Sequence, residues 1–128
     1  MEKWLVLAGV FTALSLTSCS SDSSRSPSTM QVRKAPAEFA KGETFFNESC
    51  AGCHGKGAIG TDRGPTFLSK IYAPNHHGDA AFLLAPQRGV RAHHWKFGNM
   101  PKISGLETEE IKAIIPYIRW LQKEAGIF

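Results

Sequence analysis

Two cysteines and a histidine stand close together in the run Cys50-Ala51-Gly52-Cys53-His54. Two thiols three positions apart lie on about one helical turn, so both can reach the two vinyl groups of one porphyrin and form thioethers. The histidine directly after the second cysteine can then offer an imidazole nitrogen to the iron. This C-x-x-C-H pattern is the attachment motif of c-type haem. The sequence therefore predicts one covalently bound haem c with its iron.

Two other chemistries use a C-x-x-C pair. A thioredoxin-like dithiol is expected in a βαβ context, which this sequence does not indicate. A zinc site needs two further ligands. Four histidines could supply them: His76, His77, His93 and His94. The chain contains a single C-x-x-C pair, however, and haem remains the preferred interpretation.

The third cysteine comes after an apolar segment at the start of the chain. Residues 4–16 are thirteen largely apolar residues, whereas a bilayer span needs about 20, so they suit the apolar region of a secretory signal. The run Leu16-Thr17-Ser18-Cys19 resembles the lipobox of bacterial lipoproteins, whose cysteine becomes the lipidated first residue. We predict a lipoprotein signal peptide over residues 1–18 and lipidation of Cys19. The alternative is an ordinary signal peptide with an incidental cysteine.

Composition separates a tether from a folded domain. Residues 19–36 are rich in serine and proline and contain no aromatic residue, which predicts a flexible, lipidated N-terminal segment. Residues 37–128 are long enough for one domain. The net charge of +4 comes without a dense Lys/Arg run, so no nucleic-acid partner is expected. With a single apolar run, a polytopic membrane protein is excluded.

Three helices must position the motif. The first is predicted from Ala37 to Ser49, after Pro36, with Phe39, Gly42 and Phe46 on one face. The last is predicted from Glu109 to Ala125, with Thr108 as its N-cap, Pro116 inside it and Gly126 after its end. Its apolar stripe consists of Ile111, Ile114, Ile115, Ile118 and Leu121. A shorter helix is predicted over Asp79 to Ala85, interrupted by Pro86. No segment predicts a strand, so the domain is expected to be all-α.

From Phe39 to about Leu121 the chain resembles the class I cytochrome c family. Gly42 and Phe46 stand where the family has its first-helix glycine and aromatic residue, and Tyr117 stands where it has the aromatic residue of the last helix. The resemblance implies a cytochrome c-like fold of three to four short helices around one haem. It also implies that the first and last helices cross.

The resemblance implies two further contacts around the iron. Gly64-Pro65, eleven residues after His54, is similar to the family's Gly-Pro, whose proline carbonyl accepts the haem histidine's N–H. Met100-Pro101 is similar to the loop that carries the sixth iron ligand. The implied iron ligands are therefore His54 and Met100.

The other polar side chains near Met100 have less specific roles. His93 and His94 are expected to be loop or propionate-contacting residues, and His76 and His77 exposed loop residues. Guanidinium and indole N–H groups suit carboxylates, so the haem propionates could be contacted by Arg88, Arg91 and Trp95. The alternative for these three residues is a solvated basic face.

An iron with both axial positions filled has no open site for a substrate. The expected function is therefore that of a monomeric electron carrier, tethered by lipid to a membrane on the extracytoplasmic side, that works between protein redox partners. Two alternatives are a haem peroxidase-like enzyme with a labile Met100, and a sensor or cytochrome subunit of a larger redox complex.

Overall fold

The computed structural model describes residues 34–128, which fall within one compact unit of residues 31–128. The predicted signal peptide, the Cys19 lipidation site and most of the predicted tether lie outside the described residues. Four α-helices form within the described part: α1 (Ala40–Ser49), α2 (Ala51–His54), α3 (Asp79–Arg88) and α4 (Thr108–Glu124). In this range the sole strand-like pairing is an isolated bridge between Val90 and Met100. The predicted all-α fold is confirmed.

The first helix begins where the sequence predicted, but its first turn is tighter than an α-helical turn. Ala37–Phe39 form a 3-10 turn after Pro36, and the α-helical geometry of α1 starts at Ala40. Proline suits the start of a helix because its fixed φ is compatible with the helical backbone, and because the N–H that it lacks would have no partner within the helix.

The last helix confirms the predicted stripe and corrects its N-terminus. The N-cap is Glu107 rather than Thr108, because the Glu107 side chain accepts from the backbone of Glu110 while the Glu110 side chain accepts from the backbone N–H of Glu107 at 2.9 Å. This reciprocal pair satisfies two N–H groups at once. Pro116 lies on the exposed face of α4. The carbonyl of Lys112, which loses its donor there, can be reached by water because Lys112 is also exposed.

The predicted interruption of the third helix at Pro86 is wrong. Helix α3 continues through Pro86 to Arg88 and ends at Gly89, whose N–H donates to Ala85 O at 2.8 Å. Pro86 has no N–H to donate to Phe82 O, so α3 loses one hydrogen bond there, but the helix continues past it and is closed by the Gly89 N–H. Its own carbonyl accepts from Ile103 N at 2.7 Å, which ties the end of α3 to the next loop.

Helices α1 and α4 cross closely, as the resemblance implied. A Cβ on Gly42 would lie 2.2 Å from Ala113 O and 3.0 Å from Tyr117 Cβ, so a glycine is needed for the two backbones to approach. Next to the crossing, the rings of Phe46 and Tyr117 lie 5.5 Å apart, and both side chains are fully buried. The crossing therefore fixes α1 and α4 relative to each other, with their apolar faces toward the interior of the domain.

A second aromatic group lies between this crossing and α3. Phe67, in the segment after α2, packs edge-on against Phe46, Tyr72 and Phe82, with ring centroids 6.3, 5.0 and 5.2 Å away. Such edge-to-face pairs stabilise the core beyond the area they bury. Phe67 therefore connects the loop after the motif to both α1 and α3.

Candidate haem site

The C-x-x-C-H motif forms the short helix α2. The backbone N–H groups of Cys53 and His54 both donate to Cys50 O, at 3.1 and 3.0 Å. The Cys50 side chain is half-buried and the Cys53 side chain is exposed. Before a haem is attached, burial, and then the neighbouring Cys53, raise the pKa of the Cys50 thiol to about 11. The single helical turn presents both sulfurs and the imidazole from one rigid segment.

His54 is buried and its ring is held on two sides. Nδ1 lies 2.9 Å from Pro65 O, to which it donates, and Phe67 stacks on the imidazole with ring centroids 4.2 Å apart. Burial lowers the pKa of His54, although the hydrogen bond to the Pro65 carbonyl opposes that shift. A neutral imidazole whose Nδ1 carries the proton keeps its lone pair on Nε2. The arrangement therefore prepares Nε2 to bind a metal.

The loop that carries Pro65 is fastened to the motif. A Cβ on Gly64 would lie 2.9 Å from Cys53 O, so glycine lets the loop backbone lie directly against α2. Arg63 donates from its guanidinium to Gly52 O, and Phe67 N donates to Ala58 O at 2.8 Å. These contacts hold the Pro65 carbonyl at the right distance from the imidazole.

Met100 reaches the same cavity as His54 but stands in a loop far along the chain from helix α2. Val90 and Met100 exchange both backbone hydrogen bonds at 2.9 Å, and this bridge joins the end of α3 to the Met100 loop. The Met100 side chain is half-buried and lines the cavity together with Cys50 and His54. The structure thus brings together four of the five residues predicted to bind the cofactor: Cys50, His54, Pro65 and Met100.

The cavity has a volume of about 440 Å³ and walls that are mostly apolar. Four members of the α4 stripe line it: Ile111, Ile114, Ile115 and Ile118. Phe67 and Phe82 line it as well, so apolar side chains of α4, of α3 and of the loop after α2 face the same cavity. A flat apolar macrocycle with a metal at its centre fits such a cavity, because most of the wall is apolar and the cavity is also lined by an imidazole and a thioether that suit haem iron.

Two of the side chains suited to haem propionates, Arg88 and Trp95, line the cavity. Trp95 Nε1 donates to Tyr72 Oη at 3.1 Å, which links the loop before Met100 to the segment after Phe67. Burial raises the pKa of Tyr72, and the Trp95 hydrogen bond opposes this. The indole N–H of Trp95 is therefore already used within the protein.

Four aromatic residues of the cavity wall were not predicted from the sequence: Phe67, Tyr72, Phe82 and Phe97. Each stands in a short or irregular segment, where no periodicity marks a buried face. The aromatic residues themselves were the available signal, because a flat apolar cofactor in a small helical domain needs large apolar side chains around it.

The four histidines outside the motif come together at one end of the cavity. Three are exposed (His76, His93, His94) and His77 is half-buried, so the expectation of exposed loop positions holds for His76. The rings of His93 and His94 lie 4.3 Å apart, and those of His77 and His94 lie 5.2 Å apart. Loss of hydration, and then repulsion from the neighbouring imidazoles, lower the pKa of His94. Their grouping was not predicted, because 18 residues separate His76 from His94.

An all-α domain with this cavity and this motif is a c-type haem protein. The sequence model of the family described as Cytochrome c matches residues 39–122, and the chain belongs to that family. Its cofactor is covalently bound haem c with its iron, and the family is one of haem electron carriers. The chain is similar to Cytochrome c-551 of Bacillus subtilis (strain 168), with 27% identity over 120 residues that cover 94% of each chain. No solved structure matches the chain at a comparable significance. Within residues 34–128, no helix has the length and apolar character that crossing a membrane requires.

Proposed function

We propose that this protein is a one-electron carrier held at the extracytoplasmic side of a membrane by lipid on Cys19, with haem iron bound by His54 and Met100. One observation carries the proposal: the His54 ring from helix α2 and the Met100 side chain from a distant loop line one apolar cavity. If His54 and Met100 both bind the iron, no coordination position would remain open for a substrate. Electron transfer is then the chemistry that remains.

The role proposed for His54 rests on its second ring nitrogen. The hydrogen bond from Nδ1 to Pro65 O fixes both the tautomer and the orientation of the imidazole. Such a partner makes the opposite nitrogen a stronger ligand and keeps it directed to one place. Stacking by Phe67 stops the ring from rotating out of the cavity.

Met100 supplies the second ligand. A thioether is a soft donor, and His/Met ligation raises the reduction potential relative to two histidines. The backbone bridge to Val90 restrains the Met100 loop at its base. When bound, the haem supplies a one-electron iron couple, and the chain keeps this couple in an apolar surrounding.

The cysteines divide between two tasks. Cys50 and Cys53 form the thioethers of the haem, which leaves Cys19 for lipid. Two or more acyl chains on one residue give stable anchoring where a single chain gives only reversible binding. Attachment at Cys19 would leave residues 20–36 as the connection between the lipid and the folded domain.

Protein partners would meet the haem edge through exposed lysines. Lys56 lies two residues after His54, Lys96 lies between the cavity-lining residues Trp95 and Phe97, and Lys102 stands two residues after Met100. All three lysines are exposed. Positive charges around the mouth of the cavity would steer an acidic partner toward it.

Absorption spectra of the purified holoprotein test the proposal. The carrier is expected to be low-spin in both the ferric and the ferrous state, and to bind neither CO nor cyanide within minutes. Rapid binding of either ligand, or turnover of peroxide, would overturn the proposal in favour of a haem peroxidase-like enzyme. Purification at a fixed stoichiometry with other redox proteins would instead indicate a subunit of a larger complex.

A further inference from the structure

Three histidines from two distant segments place their ring nitrogens around one point at the rim of the cavity. One ligand nitrogen from each of His76, His77 and His94 lies within 4.8 Å of the other two. We propose that these three residues form a second metal site, which binds one divalent late first-row transition ion such as Zn²⁺. Three neutral imidazoles and a water complete the tetrahedral shell that this class of ion accepts.

One pair of these histidines already has the spacing of two metal ligands. His76 Nε2 and His94 Nε2 lie 3.3 Å apart. Two nitrogens bound to a tetrahedral zinc at about 2.0–2.1 Å are separated by about 3.4 Å. The separation is also longer than the usual N–H hydrogen bond of about 2.9–3.0 Å. The His77 nitrogen lies no more than 4.8 Å from either of the other two, which exceeds the tetrahedral spacing of about 3.4 Å by about 1.4 Å at most.

His77 has the hydrogen bond that a metal-bound histidine typically makes. Its Nδ1 donates to Ile71 O at 2.6 Å, which leaves the lone pair on Nε2. Histidines that bind metals usually donate their other ring N–H to a carbonyl or carboxylate, because this fixes the tautomer and the direction of the ring. In this chain His54 shows the same arrangement with Pro65.

The turn that carries His76 and His77 is held by helix α4. Arg119 donates to His77 O at 2.6 Å and to Tyr72 O at 2.8 Å, and it pairs with Asp79 at 2.8 Å. The backbone N–H groups of His76 and His77 both donate to Ala73 O at 2.9 Å. A backbone fixed in this way lowers the ordering cost of binding an ion.

The segment that carries His94 is fastened to the first segment. Trp95, the next residue, donates from Nε1 to Tyr72 Oη at 3.1 Å, so the two halves of the site are cross-linked beside the histidines. At the base of the same loop, Ala92 N donates to Asn99 Oδ1 at 2.9 Å. The site is therefore assembled from two restrained loops rather than from mobile side chains alone.

His93 provides a matched control within the same loop. It is an exposed histidine directly before His94, and its Nδ1 lies 2.8 Å from Arg91 O, to which it donates. It is not one of the three residues whose ligand atoms converge. Replacing it removes one imidazole from the same surface and leaves the proposed ligands in place.

The position of the site gives it a consequence for the haem, which rests on the proposed function. His77 and His94 line the cavity that takes the cofactor. An added double positive charge at this rim disfavours the ferric state, which is one unit more positive than the ferrous state. The bound ion is therefore expected to raise the midpoint potential of the haem.

Calorimetric titration of the ferric holoprotein with Zn²⁺ tests the site. The wild type is expected to bind one ion per chain, and His76→Gln and His94→Gln are each expected to weaken the binding at least tenfold. His93→Gln is expected to bind as the wild type does. An absence of zinc binding by the wild type, or an equal loss in His93→Gln, would overturn the proposed site.

Potentiometric titration with and without Zn²⁺ separates this inference from the proposed function. A rise of the midpoint potential in the wild type that is absent in His94→Gln supports the site. A reversible haem couple that Zn²⁺ leaves unmoved overturns the link to the haem while the carrier function stands. Loss of the low-spin ferric spectrum in His76→Gln or His94→Gln would identify an iron ligand instead, and would overturn both the zinc site and Met100 ligation.

Discussion

Gly42→Ala is expected to destabilise the domain, because the added methyl group enters the crossing of α1 and α4. The new Cβ would lie 2.2 Å from Ala113 O, and ordinary contact begins at 3.4 Å. The atom that the new Cβ meets belongs to the backbone of α4, so no side chain can turn aside to make room. The two helices must therefore move apart. Phe46 and Tyr117, which pack beside the crossing, would lose contact as well.

The magnitude comes from two opposing terms. Overpacking a close helix crossing costs about 3 kcal/mol, the upper part of the usual range. Alanine returns about 1 kcal/mol through its higher helix propensity. The net loss of about 2 kcal/mol corresponds to a fall in Tm of about 8–16 °C for a domain of this size.

Thermal unfolding of the holoprotein, monitored by far-UV circular dichroism, measures this fall. Gly78→Ala is the matched control, because its Cβ would meet nothing closer than Pro74 O at 3.7 Å and its φ of −64° suits alanine. The control is expected to lose less than about 1 kcal/mol, because Gly78 is the N-cap of α3, where alanine is somewhat less favourable than glycine. A Tm for Gly42→Ala equal to that of Gly78→Ala would refute the close crossing.

Three further variants test the core, the haem attachment and the anchor. Burial, and then the Glu43 carboxylate, raise the pKa of Tyr117 to about 12. The stability that the neutral phenol contributes is therefore present below about pH 10 and is lost as the pH rises from about 10 to 12. Tyr117→Phe is expected to stay folded to higher pH, as measured by circular dichroism. Because the buried hydroxyl has no hydrogen-bond partner among the described residues, the free energy of unfolding is also expected to rise by about 1 kcal/mol. Alkaline unfolding at the wild-type pH would contradict this. The double variant Cys50→Ala, Cys53→Ala is expected to lose covalent haem and cooperative melting, since the apolar walls of the cavity then face each other across empty space, and a cooperative melt without haem would count against that expectation. Cys19→Ala is expected to leave the membrane fraction after mild washing, and retention equal to that of the wild type would rule out the lipid anchor.

The terminal helices could be predicted well because their patterns are local. The stripe from Ile111 to Leu121 repeats at helical spacing, and it forms the buried face of α4. The predicted cap was wrong by one residue because threonine is the commoner N-cap, whereas here Glu107 and Glu110 satisfy each other's backbone. The prediction at Pro86 was also wrong. A proline costs a helix one N–H donor, but here the neighbouring residues keep the helical geometry, and the helix ends only at Gly89.

The parts that could not be predicted depend on contacts between distant segments. Phe67 packs against residues from three other segments, and nothing in its own neighbourhood marks it as central. Arg119 stands on the polar side of the predicted stripe, yet its guanidinium fastens the loop of His77. Each of these contacts forms only once distant segments have folded together. The spacing of residues within one segment therefore cannot predict such a contact.

The central claim is that Met100 and His54 together hold the haem iron. The most direct measurement is the charge-transfer band that a methionine–iron bond gives at the red end of the ferric spectrum. This band is expected in the wild type and is expected to be lost completely in Met100→Ala, which becomes high-spin or takes His93 or His94 as its ligand. A wild type without the band, or a Met100→Ala variant that keeps it, would contradict the claim.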